Sequence, residues 1–146
     1  MIADLGLSKQ LTVEVTSNST VYGMPAYIEP QYYKNHHYVR DKRSDIYSLG
    51  VLLWEITSGR PPFSTIPRRY SVVYKVSIGL REQPMSDTPS DYVELYQNCW
   101  NDNPDSRPTI DEVIDTLEKF SLQLNNDNER NSKITENLEK LIINIK

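Results

Sequence analysis

Cysteine, histidine and long apolar runs are scarce in this sequence. Cys99 is the only cysteine, which excludes an internal disulfide and fits a reducing compartment. The two histidines, His36 and His37, are adjacent and cannot by themselves form a zinc site. No segment approaches the ~18 apolar residues of a membrane helix, and the first residues lack the charged and apolar regions of a secretory leader. These absences favour a cytoplasmic location, with the nucleus as the alternative, and argue against a membrane partner.

Basic residues are outnumbered by acidic ones. The chain has 16 Lys and Arg against 20 Asp and Glu, a net charge of -4. This balance argues against a nucleic-acid partner. A local basic face could still form from Arg40, Lys42, Arg43, Arg60, Arg68 and Arg69. The length of 146 residues and the hydrophobic fraction of 38% describe one soluble globular domain, which buries roughly 70% of its unfolded surface if it is complete.

The most informative stretch runs from residue 43 to residue 63 and predicts one helix. Ser44 or Asp45 can accept backbone N–H bonds at its start, and Gly59 followed by Pro61 provides its end. The apolar residues lie on nearly every side, which predicts a buried core helix. They are Ile46, Leu49, Val51, Leu52, Leu53, Trp54 and Ile56. Asp45 lies at the edge of the buried region, where a carboxylate needs hydrogen-bond donors.

The segment Asp45-Ile46-Tyr47-Ser48-Leu49-Gly50 resembles the protein-kinase pattern Asp-x-Trp/Tyr-Ser-x-Gly. In that family the segment belongs to the central helix of the C-terminal lobe. Its Asp accepts hydrogen bonds from backbone amides of the catalytic loop. The resemblance therefore implies a structural role for Asp45.

The beginning of the chain contains a second resemblance. Asp4-Leu5-Gly6 is similar to the kinase Asp-Phe-Gly motif, which implies that Asp4 is a magnesium ligand and that ATP is the nucleotide. Residues 11–15 alternate as in a short strand, and residues 16–24 are polar and predict a loop. In the family this loop is the activation segment. Its candidate phosphorylation sites here are Thr12, Thr16, Ser17, Ser19 and Thr20.

A third resemblance covers residues 23–31. It is to Gly-Thr-x-x-Tyr-x-Ala-Pro-Glu, which implies a substrate-side loop of Gly23, Met24, Pro25, Ala26 and Tyr27. Met24 replaces a Thr that contacts the catalytic loop in serine/threonine kinases. Gln31 replaces a Glu that pairs with a buried Arg, for which Arg107 is the match. Losing one partner of a buried pair costs about 3–5 kcal/mol; Gln retains an acceptor, and Glu29 is the alternative partner.

Three further helices are predicted after the core helix. They lie at residues 68–79, at 91–100, and from the Thr109–Glu112 capping box to about Leu124. Residues 99–109 resemble the motif Cys-Trp-x-x-x-Pro-x-x-Arg-Pro-Thr of tyrosine kinases and tyrosine-kinase-like serine/threonine kinases. That resemblance implies structural roles for Trp100 and Arg107.

The predicted domain organisation has three parts. Residues 1–124 form the kinase C-terminal lobe, residues 125–132 form a polar linker, and residues 133–146 form an amphipathic helical tail. The apolar residues of the tail are Ile134, Leu138, Leu141, Ile142 and Ile145. The tail packs on the lobe or leads to a partner, and a short coiled coil is a further alternative.

The resemblance implies a mainly α chain, the C-terminal lobe of the protein-kinase-like α+β fold truncated before the catalytic loop. It also implies ATP-dependent phosphoryl transfer to protein Ser/Thr, with Tyr as an alternative, in signalling. The Gly-rich loop, the strand lysine and the His-Arg-Asp catalytic loop are absent, so no catalytic residue is assigned. We expect the chain alone to be inactive and not to bind ATP and magnesium stably.

The missing helix that precedes the catalytic loop in the family should leave the core helix partly uncovered. We therefore expect an exposed apolar patch and self-association through the core helix or the tail helix, or a protein partner. The alternative function is a non-catalytic, pseudokinase-like protein interaction module. It predicts a well-folded chain that fails to bind nucleotide.

Overall fold

The computed structural model describes residues 24–124 and 132–146, and the regular structure in these residues is entirely helical. Short 3-10 turns cover Pro25–Tyr27 and Pro104–Ser106, and the α-helices are α1 (Pro30–Lys34), α2 (Lys42–Ser58), α3 (Arg69–Ser77), α4 (Ser90–Cys99), α5 (Ile110–Leu124) and α6 (Ser132–Ile145). The prediction of a mainly α chain is confirmed for this part. The strand expected at residues 11–15 lies outside the described residues.

Helix α2 begins one turn earlier than the sequence indicated. Its N-cap is Asp41, whose carboxylate accepts from the Arg43 backbone N–H at 2.8 Å. Ser44 completes a reciprocal capping box, because its hydroxyl accepts from the Asp41 N–H at 3.1 Å. The expected cap at Ser44 or Asp45 is therefore wrong. The predicted end is confirmed, since Gly59 adopts a left-handed φ of 68° and its N–H bonds to the Glu55 carbonyl.

The helices predicted after α2 form where the local sequence signals indicated them. Helices α3, α4 and α5 lie where the apolar spacing and the breakers indicated. The capping box at the start of α5 is confirmed: Glu112 Oε2 accepts from the Thr109 N–H at 2.7 Å, and the Glu112 N–H bonds to Thr109 Oγ1 at 3.4 Å. Helix α1 is a short element within a stretch that the sequence indicated only as a connection.

The core is built around α2, which packs against α4, α6 and both 3-10 turns. Tyr47, Leu53 and Trp54 are completely buried, as an all-round apolar helix predicts. The Tyr92 hydroxyl of α4 donates to the Leu53 carbonyl at 2.8 Å. A Cβ atom at Gly50 would lie 2.6 Å from Cys99 Cβ, so α2 and α4 approach each other at a point that only glycine allows.

Helix α6 packs on α5 and α2 and buries Leu138, Leu141 and Ile142. The apolar side chains of α2 are buried or half-buried, including Leu52 and Ile56, which pack against the core. The sizeable exposed apolar patch that we expected on the core helix is therefore not found in the described residues. The physical reason is that α6 covers part of the face that would have been open.

We expect Gly50→Ala to lower the free energy of unfolding by about 1–3 kcal/mol, because the added methyl group overpacks the contact between α2 and α4. Alanine has a helix propensity ~1 kcal/mol better than glycine, so any net loss reports the steric contact. Urea titration followed by circular dichroism measures the change. Gln123→Ala on the exposed side of α5 is the control, with an expected effect within about 0.5 kcal/mol. A more stable Gly50→Ala variant would show that the helices separate freely.

We expect the Cys99 thiol to resist labelling in the native protein. Burial raises its pKa to about 12, so the reactive thiolate is scarce and the sulfur is not accessible. Reaction with a chromogenic disulfide reagent at mildly alkaline pH should be negligible before unfolding and complete in denaturant. Rapid stoichiometric labelling without denaturant would contradict the buried position.

Candidate functional site

The predicted substrate-side loop is a 3-10 turn held against α2. Backbone bonds from the Tyr27 N–H to the Met24 carbonyl at 3.0 Å and from the Ile28 N–H to the Pro25 carbonyl at 3.3 Å close the turn. The Ser48 hydroxyl of α2 donates to the Tyr27 carbonyl at 2.7 Å. Ala26 is buried beneath the turn and Met24 is exposed. The serine of the motif on the core helix thus fixes the backbone of the loop.

A buried ion pair anchors the segment that follows this turn. Arg107 Nη1 lies 2.8 Å from Glu29 Oε2, and both side chains are 0% exposed. The Ser44 hydroxyl donates to Glu29 Oε1, and the Tyr38 hydroxyl donates to Glu29 Oε2 at 3.2 Å. The carboxylate therefore has a cation and two hydroxyl donors, which compensate its desolvation.

The arginine of this pair is fixed by backbone acceptors. Arg107 Nε donates to the Asn101 carbonyl at 2.9 Å, and Nη1 donates to the Arg43 carbonyl at 2.8 Å. One guanidinium group thereby joins the loop segment, the first turn of α2 and the turn that precedes α5. A planar group with several donors is suited to such a junction.

Gln31 does not contact Arg107 through a hydrogen bond. Its Nε2 atom donates to the Asp102 carbonyl at 3.1 Å, on the turn before α5. The carboxylate for Arg107 comes from Glu29, the alternative partner that the sequence offered, and not from position 31. The reason is the extended backbone of Glu29, which precedes α1 and places its side chain in the core. Nη2 of Arg107 is buried without a hydrogen-bond partner among the described residues.

Tyr47 contacts two arginines, an arrangement that the sequence motifs did not predict. The guanidinium carbons of Arg81 and Arg107 each lie 5.2 Å from the centre of its ring. Arg81 Nε also donates to the Trp100 carbonyl at 3.3 Å, which ties Trp100 to the same cluster. Burial raises the pKa of Tyr47 to about 12, so the phenol stays neutral. The aromatic residue of the motif on α2 was the only local signal for this contact.

The remaining predicted site residues are not brought into this cluster. Asp45 is half-buried in the first turn of α2. Seven candidates lie outside the described residues: Asp4, Thr12, Thr16, Ser17, Ser19, Thr20 and Gly23. Within residues 24–124 and 132–146, no group of three His, Cys, Asp or Glu side chains could hold a metal ion.

We expect Glu29→Gln to lower the free energy of unfolding by about 3 kcal/mol, since the Arg107 charge would remain buried without its counter-ion. Gln31→Glu alone should cost about 1 kcal/mol, because the bond to the Asp102 carbonyl is lost. The double variant should regain part of the loss of Glu29→Gln, because a carboxylate returns near Arg107. Denaturant titration of the three variants forms a double-mutant cycle. Strict additivity would show that position 31 cannot serve Arg107.

Comparison with known proteins agrees with this geometry. The model of the protein tyrosine and serine/threonine kinase family matches residues 1–117. A probable LIM domain-containing serine/threonine-protein kinase of Dictyostelium discoideum is 34% identical over 121 residues, which cover 83% of this chain and 17% of that protein. The probable serine/threonine-protein kinase drkB of the same organism is 31% identical over 121 residues, covering 82% of this chain and 17% of that protein.

A third relative in that organism, the probable serine/threonine-protein kinase gdt4, is 33% identical over 134 residues, which cover 90% of this chain and 8% of that protein. The chain thus spans less than a fifth of the length of these relatives. None of the helices within the described residues combines the length and apolarity that a membrane span requires. The family match covers every motif on which the resemblance was based and confirms it. The chain belongs to the protein tyrosine and serine/threonine kinase family, and its helices from α1 to the start of α5, which lie within the matched residues, are consistent with the C-terminal lobe.

Proposed function

We propose that this chain is the substrate-side part of the C-terminal lobe of a serine/threonine protein kinase that acts in cytoplasmic signalling. The family generally transfers the γ-phosphoryl group of ATP, with magnesium, to a hydroxyl group of a protein. The observation that carries the proposal is the double attachment of the Pro25–Tyr27 turn. Ser48 holds its backbone at 2.7 Å, and the Glu29–Arg107 pair holds the chain directly after it at 2.8 Å.

Two attachments at the C-terminal end of a short turn suit the role of a substrate platform. Phosphoryl transfer depends mainly on positioning and electrostatics, and an error of 1 Å in position reduces the rate strongly. A buried ion pair with further donors is stiff, because every movement of Glu29 would break contacts with Arg107, Ser44 or Tyr38. The turn is therefore held ready without the help of a bound substrate.

The proposal assigns roles to residues beyond the described part. Asp4 is the magnesium ligand, and Thr12, Thr16, Ser17, Ser19 and Thr20 are the candidates for activating phosphorylation. The lobe extends over residues 1–124, with 125–132 as a linker and 133–146 as a helical tail. The burial of Leu138 and Leu141 supports a tail that packs on the lobe rather than one that extends from it.

The test uses the complete reading frame that contains this chain, defined by mapping the 5′ end of its transcript. With magnesium and labelled ATP, the purified protein should transfer label to serine and threonine of a protein substrate, as acid hydrolysis of the product shows. Asp4→Asn should abolish transfer without changing the melting temperature. The 146-residue chain tested alone should transfer none, since it lacks the Gly-rich loop, the strand lysine and the catalytic loop.

A control variant tests whether the loss of transfer is specific to Asp4. Lys133→Ala changes an exposed residue on α6, outside the residues that match the kinase family, and should leave transfer unchanged. A complete protein that folds but neither binds a fluorescent ATP analogue nor transfers label would overturn the kinase proposal. That result would favour the non-catalytic interaction module.

A further inference from the structure

Two stretches of the chain contain no acidic residue. Residues 30–40 and 60–81 carry seven of the 16 Lys and Arg residues and none of the 20 Asp and Glu residues. The fold brings the two stretches together, because α3 packs against α1 and the Pro25–Tyr27 turn. Burial raises the pKa of Tyr33, and the positive charges of Arg69 and Arg40, one from each stretch, oppose part of that rise. A basic region thus forms on a chain whose net charge is -4.

Part of this positive charge is used inside the protein. Lys34 pairs with Asp102 at 2.7 Å, Arg60 pairs with Glu82 at 3.1 Å, and Arg81 lies 3.7 Å from the Asp102 carboxylate. The cations that remain are Arg40, Arg68, Arg69 and Lys75, and none of them has a carboxylate within 4.0 Å in the part of the chain that the structure describes. Their charge is available to a partner.

Helix α3 adds apolar surface to the same region. Tyr70, Tyr74 and Ile78 follow each other at helical spacing and are 88%, 65% and 54% exposed. Val72 and Val76, on the opposite side of the helix, are buried. Large apolar side chains that are contiguous and exposed are typical of an interaction site, whereas scattered ones are ordinary. We call Arg68, Arg69, Tyr70, Tyr74, Lys75 and Ile78 the α3 face.

We propose that the α3 face docks a segment of a protein partner that is acidic and contains aromatic or apolar side chains. The unpaired cations select negative charge, and the exposed tyrosines select a partner with side chains that can pack on them. A nucleic acid or an anionic membrane would satisfy the charge but would leave much of Tyr70, Tyr74 and Ile78 without an apolar counterpart. A protein segment satisfies both features.

The position of the α3 face gives the docking a role. It adjoins the Pro25–Tyr27 turn through the contact between α3 and that turn. If the turn faces the phosphoacceptor, a docked acidic segment belongs to the substrate itself. The assignment of the docked segment to the substrate rests on the proposed function, whereas the docking itself does not.

The test measures binding of the 146-residue chain to a fluorescent random copolymer of Glu and Tyr, by anisotropy and without ATP. Arg68→Glu/Arg69→Glu should weaken binding by ~tenfold or more, because attraction becomes repulsion. Lys119→Glu/Lys133→Glu changes the net charge equally on α5 and α6, at two exposed lysines without an ion pair among the described residues. This control should alter binding by less than about twofold, since the charges are remote and screened by salt.

A second variant tests the apolar part of the proposal. Tyr70→Ser/Tyr74→Ser should weaken binding of the Glu-Tyr copolymer but hardly change the weaker binding of poly-Glu. Thermal melts of all variants should show unchanged melting temperatures, because the substituted residues are exposed. Weaker binding would then not result from unfolding. Because no phosphoryl transfer is measured, a failure of the kinase proposal would leave these results unchanged.

Three outcomes would overturn the proposal. Equal losses in the arginine variant and the lysine control would show attraction to net charge only. Tighter binding of poly-U RNA, heparin or phosphatidylserine vesicles, unaffected by the tyrosine variant, would identify a general polyanion surface. Self-association of the unmodified chain in light scattering, abolished by Arg68→Glu/Arg69→Glu, would assign the α3 face to a second copy.

Discussion

The buried ion pair between Glu29 and Arg107 is the interaction on which the arrangement of this lobe depends. Neither side chain is exposed, and burying one charge without the other is strongly unfavourable, so the folded chain must bring the two together. The two residues are 78 positions apart in sequence. Their contact fixes the Pro25–Tyr27 turn, the start of α2 and the turn before α5 relative to one another. A substrate platform requires this kind of support from buried groups.

Around this pair, α2 makes different contacts on its different sides. At Gly50 the missing side chain lets α4 approach to contact distance. At Tyr47 an aromatic ring contacts both Arg81 and Arg107, whose guanidinium carbons each lie 5.2 Å from its centre. The ring stabilises two like charges that would otherwise repel each other in a region of low dielectric constant. A helix that is apolar on nearly every side can therefore support a polar cluster at its N-terminal end.

Charge is distributed unevenly over the lobe. The carboxylates that stabilise the fold, among them Glu29, Asp41 and Glu112, are engaged in the ion pair and in helix caps. The α3 face has no carboxylate of its own, and no carboxylate of the described residues pairs with its cations. Because α3 packs beside the Pro25–Tyr27 turn, the fold presents this turn and a basic, aromatic surface next to each other. A partner segment docked on the α3 face would orient the rest of that partner at the Pro25–Tyr27 turn.

The sequence by itself determined the family, every helix except α1, and the end of α2 but not its start, because these depend on local signals. The capping box at Thr109 and the left-handed Gly59 act within one turn, and the motifs at residues 45–50 and 99–109 retain their residue types and spacing. The partner of Arg107 was decided only by the tertiary structure. From the sequence, either Glu29 or Gln31 could be the partner of Arg107. In the folded chain Glu29 is buried and pairs with Arg107, whereas Gln31 bonds to the Asp102 carbonyl. Pairing across 78 positions depends on how whole helices pack, and no local pattern encodes it.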